Sequence, residues 1–313
     1  MHRLTLPDTV VKGLDGALWT IDDCIGRGGQ GNVYAATKVM LGCRDQKYAM
    51  KVIEERTDES ARVVDSERIL CRMNLAHPNL CAPVGYFEIP PRRHCIVLEA
   101  LDFTLERVIR DPMFTVPGLV VLNHILRGIR YLHSHDIMHR DLKTSNVMFN
   151  HRGVAIIIDF GWATDVSNPR EATTEVEPKP WTLWYRPPEV ALQTEVKNHI
   201  WYEKSADLWP IGLIGIEMLW QEAVFPCKGD SEAELISLMC HLFELRSMTW
   251  ENFKSAKHPV NFLDYVVSKA KVPGPDRALA LISCSLLTLD PNKRTAPSID
   301  FVDEGTLVEF KRQ

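Results

Sequence analysis

The stretch HRDLKTSN, residues 139–146, contains several side chains that can transfer a proton or bind a metal ion. Asp141 is followed two residues later by Lys143, five residues later by Asn146 and eighteen residues later by Asp159, within IIDFG. A carboxylate in such a loop is placed to accept a proton from a hydroxyl group. Asn146 and Asp159 offer the hard oxygen ligands that Mg²⁺ prefers. The stretch therefore predicts a base, Asp141, together with a magnesium site.

Three histidines near this stretch allow a second metal interpretation. His133, His135 and His139 are close in sequence, and zinc is held by three or four converging ligands of this kind. His133 and His135, however, lie at the end of a predicted helix, where ordinary surface histidines are common. We therefore favour the magnesium interpretation.

The segment IGRGGQGNV, residues 25–33, is rich in glycine. Gly26, Gly28 and Gly31 remove three side chains, so that backbone N–H groups can approach a phosphate closely. Dinucleotide-binding turns share this spacing, but they continue directly into a helix. Here residues 33–36 continue as a strand, and a hairpin that is merely flexible is the remaining alternative. We favour a glycine-rich hairpin that covers phosphates.

A lysine lies inside the apolar strand segment YAMKV, residues 48–52. If Lys51 is buried it needs an anion, and the alternative is an ordinary lysine that faces solvent. Glu67, in the helix predicted to follow, supplies a carboxylate that can hold Lys51 for the phosphates of a nucleotide.

Strand signals dominate the chain up to about residue 98, and helix signals dominate it beyond residue 101. The composition predicts strands at Ile21–Gly26, Gly31–Thr37 and Lys47–Ile53. The one helix expected in this part lies near 58–75, with an apolar face that contains Val63, Leu70 and Met73. Farther on, the pattern of a buried amphipathic helix appears at Leu122, Ile125, Leu126, Ile129 and Leu132. We therefore expect an α+β fold with two lobes.

The composition is that of a globular protein, and it limits the partners. The chain has 36 Lys and Arg against 41 Asp and Glu, which gives a net charge of −5, so bulk charge does not favour nucleic acid or an anionic membrane. The eight cysteines are scattered without a C-x-x-C pair, as in reduced intracellular proteins. The start of the chain lacks the apolar stretch of a signal peptide. We expect an intracellular protein, nuclear or cytoplasmic, neither secreted nor membrane-spanning.

These motifs, in this order, resemble those of the eukaryotic protein kinases. TLWYRPPE, residues 182–189, is similar to the segment that closes the activation loop of the family, and it contains Thr182 and Glu189. Asp207 begins a segment similar to the start of a buried family helix, and Arg294 matches the arginine that pairs with the equivalent of Glu189. The amino-acid sequences of these segments resemble those of the cyclin-dependent kinases, which are Ser/Thr kinases of the CMGC group.

The resemblance covers the chain from about Ile21 to about Phe301 and implies a bilobal kinase fold. The implied organisation is a lead-in at 1–18, a kinase domain at 19–302 and a tail at 303–313. Within the domain, the resemblance implies a β-rich N-lobe with one main helix at about 19–98, a hinge at 99–102 and a helical C-lobe at 103–302.

The resemblance also implies roles for individual residues, with ATP and Mg²⁺ as cofactors. Asp141 would be the catalytic base and Lys143 would steady the transferred phosphoryl group. Asn146 and Asp159 would hold Mg²⁺. The implied nucleotide-binding residues are Ile25, Gly26, Arg27, Gly28, Gly29, Gln30, Gly31, Asn32, Val33, Ala49, Lys51, Glu67, Leu98, Glu99, Leu101 and Met148.

Two departures from the family concern regulation. Gly29 and Gln30 occupy positions where many relatives carry a Thr and a Tyr that inhibit the enzyme when phosphorylated, so this brake is absent. The helix around Glu67 does not carry the cyclin-contacting sequence of typical members. A cyclin-like activator is therefore a possible partner that the resemblance does not require.

A third departure concerns the activation loop. Relatives bind an activating phosphothreonine with three arginines, of which only Arg140 is present here. Glu177 stands at the phosphothreonine position, and a carboxylate can be satisfied by a single bidentate arginine. We therefore predict a Glu177–Arg140 pair. The alternative is a shifted alignment, in which Thr173 or Thr174 carries a phosphate.

The expected activity is that of a Ser/Thr protein kinase acting on protein substrates. Pro180 and Trp181 replace small apolar residues that select a proline after the target residue in relatives, so proline-directed specificity is in doubt although Arg186 is kept. The alternatives are a pseudokinase that acts as a binding scaffold and a kinase of small molecules. The intact set of Lys51, Asp141 and the two predicted magnesium ligands argues against the scaffold.

Overall fold

The protein is described here from a computed structural model. The structure describes residues 9–12, 17–39, 47–167, 180–192, 202–229, 231–245, 252, 255–272, 274, 276–297 and 309–310. The chain divides into two compact units. The first unit consists of Met1–Asp102 and Ile158–Ala163, and the second unit consists of Phe103–Ile157 and Thr164–Gln313. Residues 158–163, which were expected within a continuous C-lobe at 103–302, thus belong to the first unit.

The first unit is built on an antiparallel sheet of six strands in the order β1-β2-β3-β4-β6-β5. Its strands are β1 (Thr9–Lys12), β2 (Leu18–Gly28), β3 (Gly31–Val39), β4 (Lys47–Glu54), β5 (Gly85–Ile89) and β6 (Arg93–Glu99). All three strands predicted from the composition are present. β2 and β3 form a hairpin with Gly29 and Gln30 in the turn. Gly31 has a φ of +140°, and a Cβ atom there would lie 2.6 Å from the Val52 oxygen, so only glycine fits.

The predicted helix at 58–75 is shorter than expected and is interrupted. Helix α1 spans Asp58–Glu67, and helix α2 spans Ile69–Arg72. Thr57 caps α1 through a capping box with Ser60. Asn74 adopts a left-handed conformation with a φ of +52°, which stops the helix because asparagine tolerates this conformation at a helix end. Met73, predicted on the buried face, is 37% exposed.

The second unit is mainly helical. Its helices are α3 (Leu105–Arg110), α4 (Gly118–Ser134), α5 (Pro188–Ala191), α6 (Leu208–Trp220), α7 (Glu232–Leu242), α8 (Phe262–Ser268) and α9 (Arg277–Leu286). The predicted apolar stripe of α4 is buried along its whole length. Every residue of α6 is buried, so this helix forms the centre of the unit. A Cβ atom on Gly215 of α6 would lie 2.0 Å from the Ser283 hydroxyl oxygen of α9, so glycine allows the two helices to pack closely.

Short strands complete the second unit. β7 (Phe103–Thr104), β10 (Val147–Phe149) and β11 (Ala155–Ile157) form a small sheet, and β9 (Ile137–Met138) pairs with β12 (Thr164–Asp165). β8 (Phe114–Thr115) pairs with β13 (Glu309–Phe310). Strands β1 and β13 lie in segments predicted to be a lead-in and a tail. β1 has only four residues and β13 only two, and β13 also pairs with the distant strand β8, so local composition did not reveal them.

The helices of the described residues include none that has both the length and the apolar character needed to cross a membrane.

Candidate active site

Lys51 lies at the centre of a buried charged cluster in the first unit. Its ammonium group forms an ion pair with Glu67, and it donates a hydrogen bond of 2.7 Å to Oδ1 of Asp159. Lys51 is only 8% exposed, which rules out an ordinary solvent-facing lysine. Burial opposes its charge, but the two carboxylates raise the pKa of Lys51 above its usual value. Burial raises the pKa of Glu67 to about 7, and the attraction of Lys51 limits this rise.

The local fold explains how these three side chains meet. Lys51 occupies the middle of β4, between Val33 of β3 and Ile96 of β6 in the register of the sheet. Glu67 is the last residue of α1. Asp159 has a φ of +65°, a conformation that costs a non-glycine residue about 1 kcal/mol or more and that recurs at functional sites.

Three of the predicted nucleotide-binding residues, Val33, Ala49 and Leu98, share a face of the sheet with Lys51. Val33 pairs with Lys51, and Ala49 pairs with Leu98, in the antiparallel register. Because side chains two residues apart point to the same face, these positions form one surface. All three of these apolar residues are half-buried, whereas Ile25 on β2 is 60% exposed.

The remaining predicted nucleotide-binding residues are distributed over both units. In the hairpin, Arg27, Gly28 and Gly29 are exposed, while Gly26, Gln30, Gly31 and Asn32 are half-buried. Glu99 ends β6 and is exposed, and Leu101 follows it in the first unit. Met148 lies on β10 of the second unit.

Asp141 is held by four hydrogen bonds in the second unit. Its Oδ1 accepts from the backbone N–H of Thr182 at 3.1 Å and from the Thr182 hydroxyl at 2.8 Å. Its Oδ2 accepts from Nζ of Lys143 at 2.7 Å and from Nδ2 of Asn146 at 3.0 Å. Lys143 also donates to the Thr182 hydroxyl at 2.9 Å. The structure thus brings Asp141, Lys143, Asn146 and Thr182 together, and the contact to Thr182 was not predicted.

Asp207 fixes the backbone that precedes Asp141. It is fully buried and accepts hydrogen bonds from the backbone N–H groups of His139 at 2.8 Å and Arg140 at 2.9 Å, and from Nε2 of His133 at 3.0 Å. Burial alone would raise its pKa, but the bond and charge of His133 and the interactions with His139 lower it. Asp207 therefore stays ionised and holds Arg140 at a φ of +63°. His133 is used in this network, and the zinc interpretation receives no support.

The guanidinium group of Arg140 contacts an aromatic pair. Its Nη1 donates to the hydroxyl oxygen of Tyr202 at 2.6 Å, and the backbone N–H of Trp181 donates to the Arg140 oxygen at 2.8 Å. Trp181 packs edge-on against Tyr202, with ring centroids 5.0 Å apart. The sequence carried no signal for this role of Tyr202. The indole of Trp181 is buried in this cluster, and the expected change of the pocket for the residue after the target stays a prediction.

The predicted partner of Arg140 falls in a segment of which nothing is described. Glu177, Thr173 and Thr174 all lie within 168–179, outside the described residues. The Glu177–Arg140 pair and the alternative phosphorylated threonine both stay predictions.

Glu189 and Arg294 form a bidentate ion pair in the second unit. Nη1 and Nη2 of Arg294 donate to the two carboxylate oxygens of Glu189 at 2.6 and 3.0 Å. Arg186, in contrast, donates to Glu232 at 2.5 Å and to the Trp181 oxygen at 3.1 Å. The structure therefore brings Glu189 and Arg294 together. Arg186 has a partner, Glu232, that the sequence did not indicate.

Thr144, in the segment 139–146, belongs to a buried polar network. The hydroxyl group of Tyr185 donates to Glu217 at 2.7 Å, and it lies 3.0 Å from the Thr144 hydroxyl. Burial raises the pKa of Glu217 to about 7. A glutamate inside the apolar run of α6 was the available signal for this network, and the sequence analysis missed it.

The two predicted magnesium ligands, Asp159 and Asn146, lie in different units. In the first unit, one ammonium group faces the carboxylates of Glu67 and Asp159, so the cluster carries one uncompensated negative charge when both are ionised. In the second unit, Nδ2 of Asn146 donates to Asp141, which leaves the amide oxygen of Asn146 for another partner. Each residue, within its own unit, offers a hard oxygen of the kind that Mg²⁺ takes.

Comparisons with known proteins agree on one family. The family model for the protein kinase domain matches residues 19–300. Cyclin-dependent kinase G1 of Arabidopsis thaliana is 32% identical over 216 residues, which cover 64% of this chain and 33% of that kinase. Mitogen-activated protein kinase 13 of Arabidopsis thaliana is 30% identical over 284 residues, which cover 86% of this chain and 74% of that kinase. This chain thus spans about a third of the length of the first of these relatives.

The fold has a solved counterpart. A chain in the structure of the CAK complex from Chaetomium thermophilum bound to ATP-γ-S has a TM-score of 0.71 and 24% identity, with coverage of 88% of this chain and 87% of that chain. This similarity confirms the predicted bilobal kinase fold, with a β-rich N-lobe and a helical C-lobe. The matched family model and the fold identify this chain as a member of the protein kinase family, with sequence similarity to a cyclin-dependent kinase and to a mitogen-activated protein kinase.

Proposed function

We propose that this chain transfers the γ-phosphoryl group of Mg²⁺·ATP to a serine or threonine hydroxyl group of a protein. The observation that carries the proposal is the set of four hydrogen bonds on Asp141 from Lys143, Asn146 and Thr182. They position the carboxylate, and the bond from the Thr182 hydroxyl group to Oδ1 is of the kind that an attacking substrate hydroxyl group would make in its place. Lys143 lies 2.7 Å from this carboxylate and supplies positive charge for the transferred group.

The first unit supports the nucleotide part of the proposal. Lys51 keeps its charge in a buried position and is held there by Glu67, so it can bind phosphate oxygens without reorganisation. Asp159 and Asn146 would hold Mg²⁺, which neutralises phosphate charge when bound. The glycine-rich hairpin would contact phosphates through its backbone N–H groups.

The proposal extends to partners and to specificity. The Lys51–Glu67 pair is formed within the single chain, so we expect the isolated protein to act without a cyclin-like activator, which would then raise activity only modestly. Because Trp181 packs on Tyr202 and Arg186 binds Glu232, we expect no requirement for a proline after the target residue. Peptides that differ only in Ser-Pro or Ser-Ala should show similar kcat/KM values.

A transfer assay with a variant of Asp141 tests the proposal. Asp141→Asn should lower kcat by about 10²–10⁴-fold and leave the Kd for ATP nearly unchanged, since the base acts on the hydroxyl group and not on the nucleotide. Radiolabelled ATP and basic peptides with Ser, Thr or Tyr as the only acceptor give the measurement. Asp264→Asn, a change at an exposed aspartate, is the matched control and should retain activity.

Two results would contradict the proposal. A wild-type protein that binds ATP but transfers no phosphate would be a binding scaffold. Transfer to the tyrosine peptide alone would exclude Ser/Thr specificity.

A further inference from the structure

The side chain of Gln30 folds back from the tip of the glycine-rich hairpin onto residues 159–162 of the same unit. Arg27, Gly28 and Gly29 beside it are exposed, whereas Gln30 is half-buried. A Cβ atom on Gly161 would lie only 2.1 Å from the nearest atom of the Gln30 amide group. Gln30 therefore fills the space that the absence of a side chain at 161 leaves open.

The hydrogen bonds decide the orientation of the Gln30 amide. In one orientation, Oε1 accepts a single long bond of 3.4 Å from Lys51. In the other, Nε2 donates to Oδ1 of Asp159 at 3.0 Å, and Oε1 accepts from Nε1 of Trp162 at 2.8 Å. The second orientation satisfies both ends of the amide with shorter bonds, so we assign it.

The contact engages the same groups that the proposed function gives to the nucleotide and its metal ion. Oδ1 of Asp159 accepts from Lys51 at 2.7 Å and from Gln30 at 3.0 Å. A carboxylate oxygen that accepts two hydrogen bonds is a weaker ligand for an incoming cation, because its lone pairs are in use. The hairpin that carries Gln30 is also the segment expected to contact phosphates.

We propose that Gln30 competes with Mg²⁺·nucleotide for Asp159 and thereby lowers the nucleotide affinity of this kinase. This inference rests on the proposed function. The protein must release the Gln30 contact before it binds nucleotide, so the apparent affinity is reduced by the fraction of molecules in which the contact is closed. Trp162 strengthens the closed form by its hydrogen bond to Gln30.

Nucleotide binding by variants of Gln30 tests the proposal without any transfer step. The full chain and its variants are titrated with Mg²⁺·ADP by calorimetry. Gln30→Ala should bind about tenfold more tightly than the wild type, because two hydrogen bonds that close the contact are lost. Trp162→Phe should bind about threefold more tightly, because one of the two is lost. Asp23→Ala, at an exposed position of β2, is the matched control and should bind like the wild type.

A second measurement follows the contact itself. The indole N–H resonance of Trp162, assigned by its absence in Trp162→Phe, should shift in Gln30→Ala and should shift in the same direction when Mg²⁺·ADP is added to the wild type. This readout separates a competing Gln30 from one that only stabilises the hairpin.

The results that would overturn the proposal are distinct from a failure of the proposed function. Weaker or unchanged ADP binding by Gln30→Ala, or an unchanged indole resonance, would show that Gln30 does not compete with nucleotide. A lack of phosphoryl transfer in every variant would instead contradict the proposed function, and it would leave the affinity comparison intact.

Discussion

Each unit of this protein buries an ion pair, and the two pairs are built differently. In the second unit, Arg294 meets Glu189 through two parallel hydrogen bonds and donates further bonds to the oxygens of Ser205 at 3.0 Å and Thr288 at 2.9 Å. In the first unit, the ammonium group of Lys51 is shared by two carboxylates, and the side chain of Asp159 is 28% exposed.

The difference separates a structural pair from one that we propose to be functional. The planar guanidinium group of Arg294 uses its donors on fixed protein acceptors, and the charges balance one to one. The ammonium group of Lys51 is a point charge without fixed geometry, and when Glu67 and Asp159 are both ionised the cluster carries an excess of negative charge that a cation can balance. A pair of the first kind stabilises the fold, whereas a pair of the second kind suits the nucleotide site that we propose.

The largest expected effect on stability comes from breaking the Arg294–Glu189 pair. Arg294→Met should lower the free energy of unfolding by about 3–5 kcal/mol, because Glu189 becomes a buried charge without a cation. Urea unfolding followed by tryptophan fluorescence measures this. Arg277→Met is the matched control, because Arg277 and Asp264 form an exposed pair that contributes about 1 kcal/mol or less. Equal midpoints for the two variants would contradict the comparison.

Glu217 is a buried carboxylate whose hydrogen-bond partner is a hydroxyl group. It can therefore be compared with the buried carboxylate of Glu189, whose partner is a cation. Burial raises the pKa of Glu217 from 4.5 to about 7. The stability from this group is therefore complete below pH about 4.5 and is lost as the pH rises through about 7. Glu217→Gln removes this dependence.

Unfolding at several pH values measures the effect of Glu217. Relative to the wild type, the Glu217→Gln protein should gain up to about 3 kcal/mol of stability between pH 5 and pH 8. Glu222→Gln, at a half-exposed position, should give a curve parallel to that of the wild type. A parallel curve for Glu217→Gln as well would mean that Glu217 is ionised throughout.

A change in the Lys51–Glu67 pair should affect activity more than stability. Glu67→Gln keeps the shape of the side chain, and Asp159 continues to balance the charge of Lys51. We expect a fall in kcat of about tenfold, equivalent to about 1.4 kcal/mol, and a smaller change in the free energy of unfolding. Transfer kinetics and urea unfolding on the same preparation check this. A loss of stability as large as that of Arg294→Met would place both pairs in the structural class.

The smallest expected effect concerns the contact between Arg140 and Tyr202. Tyr202→Phe removes the hydroxyl group that accepts from Arg140 and keeps the ring that packs on Trp181. The free energy of unfolding should fall by about 1 kcal/mol. Tyr265→Phe, at a residue that is 38% exposed, is the control and should change little. No difference between the two variants would mean that Arg140 is held by its other interactions.

Local sequence patterns predicted much of this protein. The strand composition of residues 47–53 indicated the strand that contains Lys51, and the 3.6-residue stripe indicated helix α4. The glycines at 26, 28 and 31 indicated a hairpin. The spacing between Asp141 and Asn146 suggested two residues that the structure joins by hydrogen bonds. These features depend on a few adjacent residues, so the sequence alone contains them.

The contacts that only the tertiary structure decided join residues that are far apart in the chain. Arg140 meets Tyr202 over 62 positions, and Tyr185 meets Glu217 over 32. The fold of Gln30 onto Trp162 also joins distant segments. Short-range periodicity tells which side of an element is apolar, but it does not tell which polar side chain lies opposite which. The packing of complete elements determines that, since a buried polar group is stable only where the assembled fold supplies its partner.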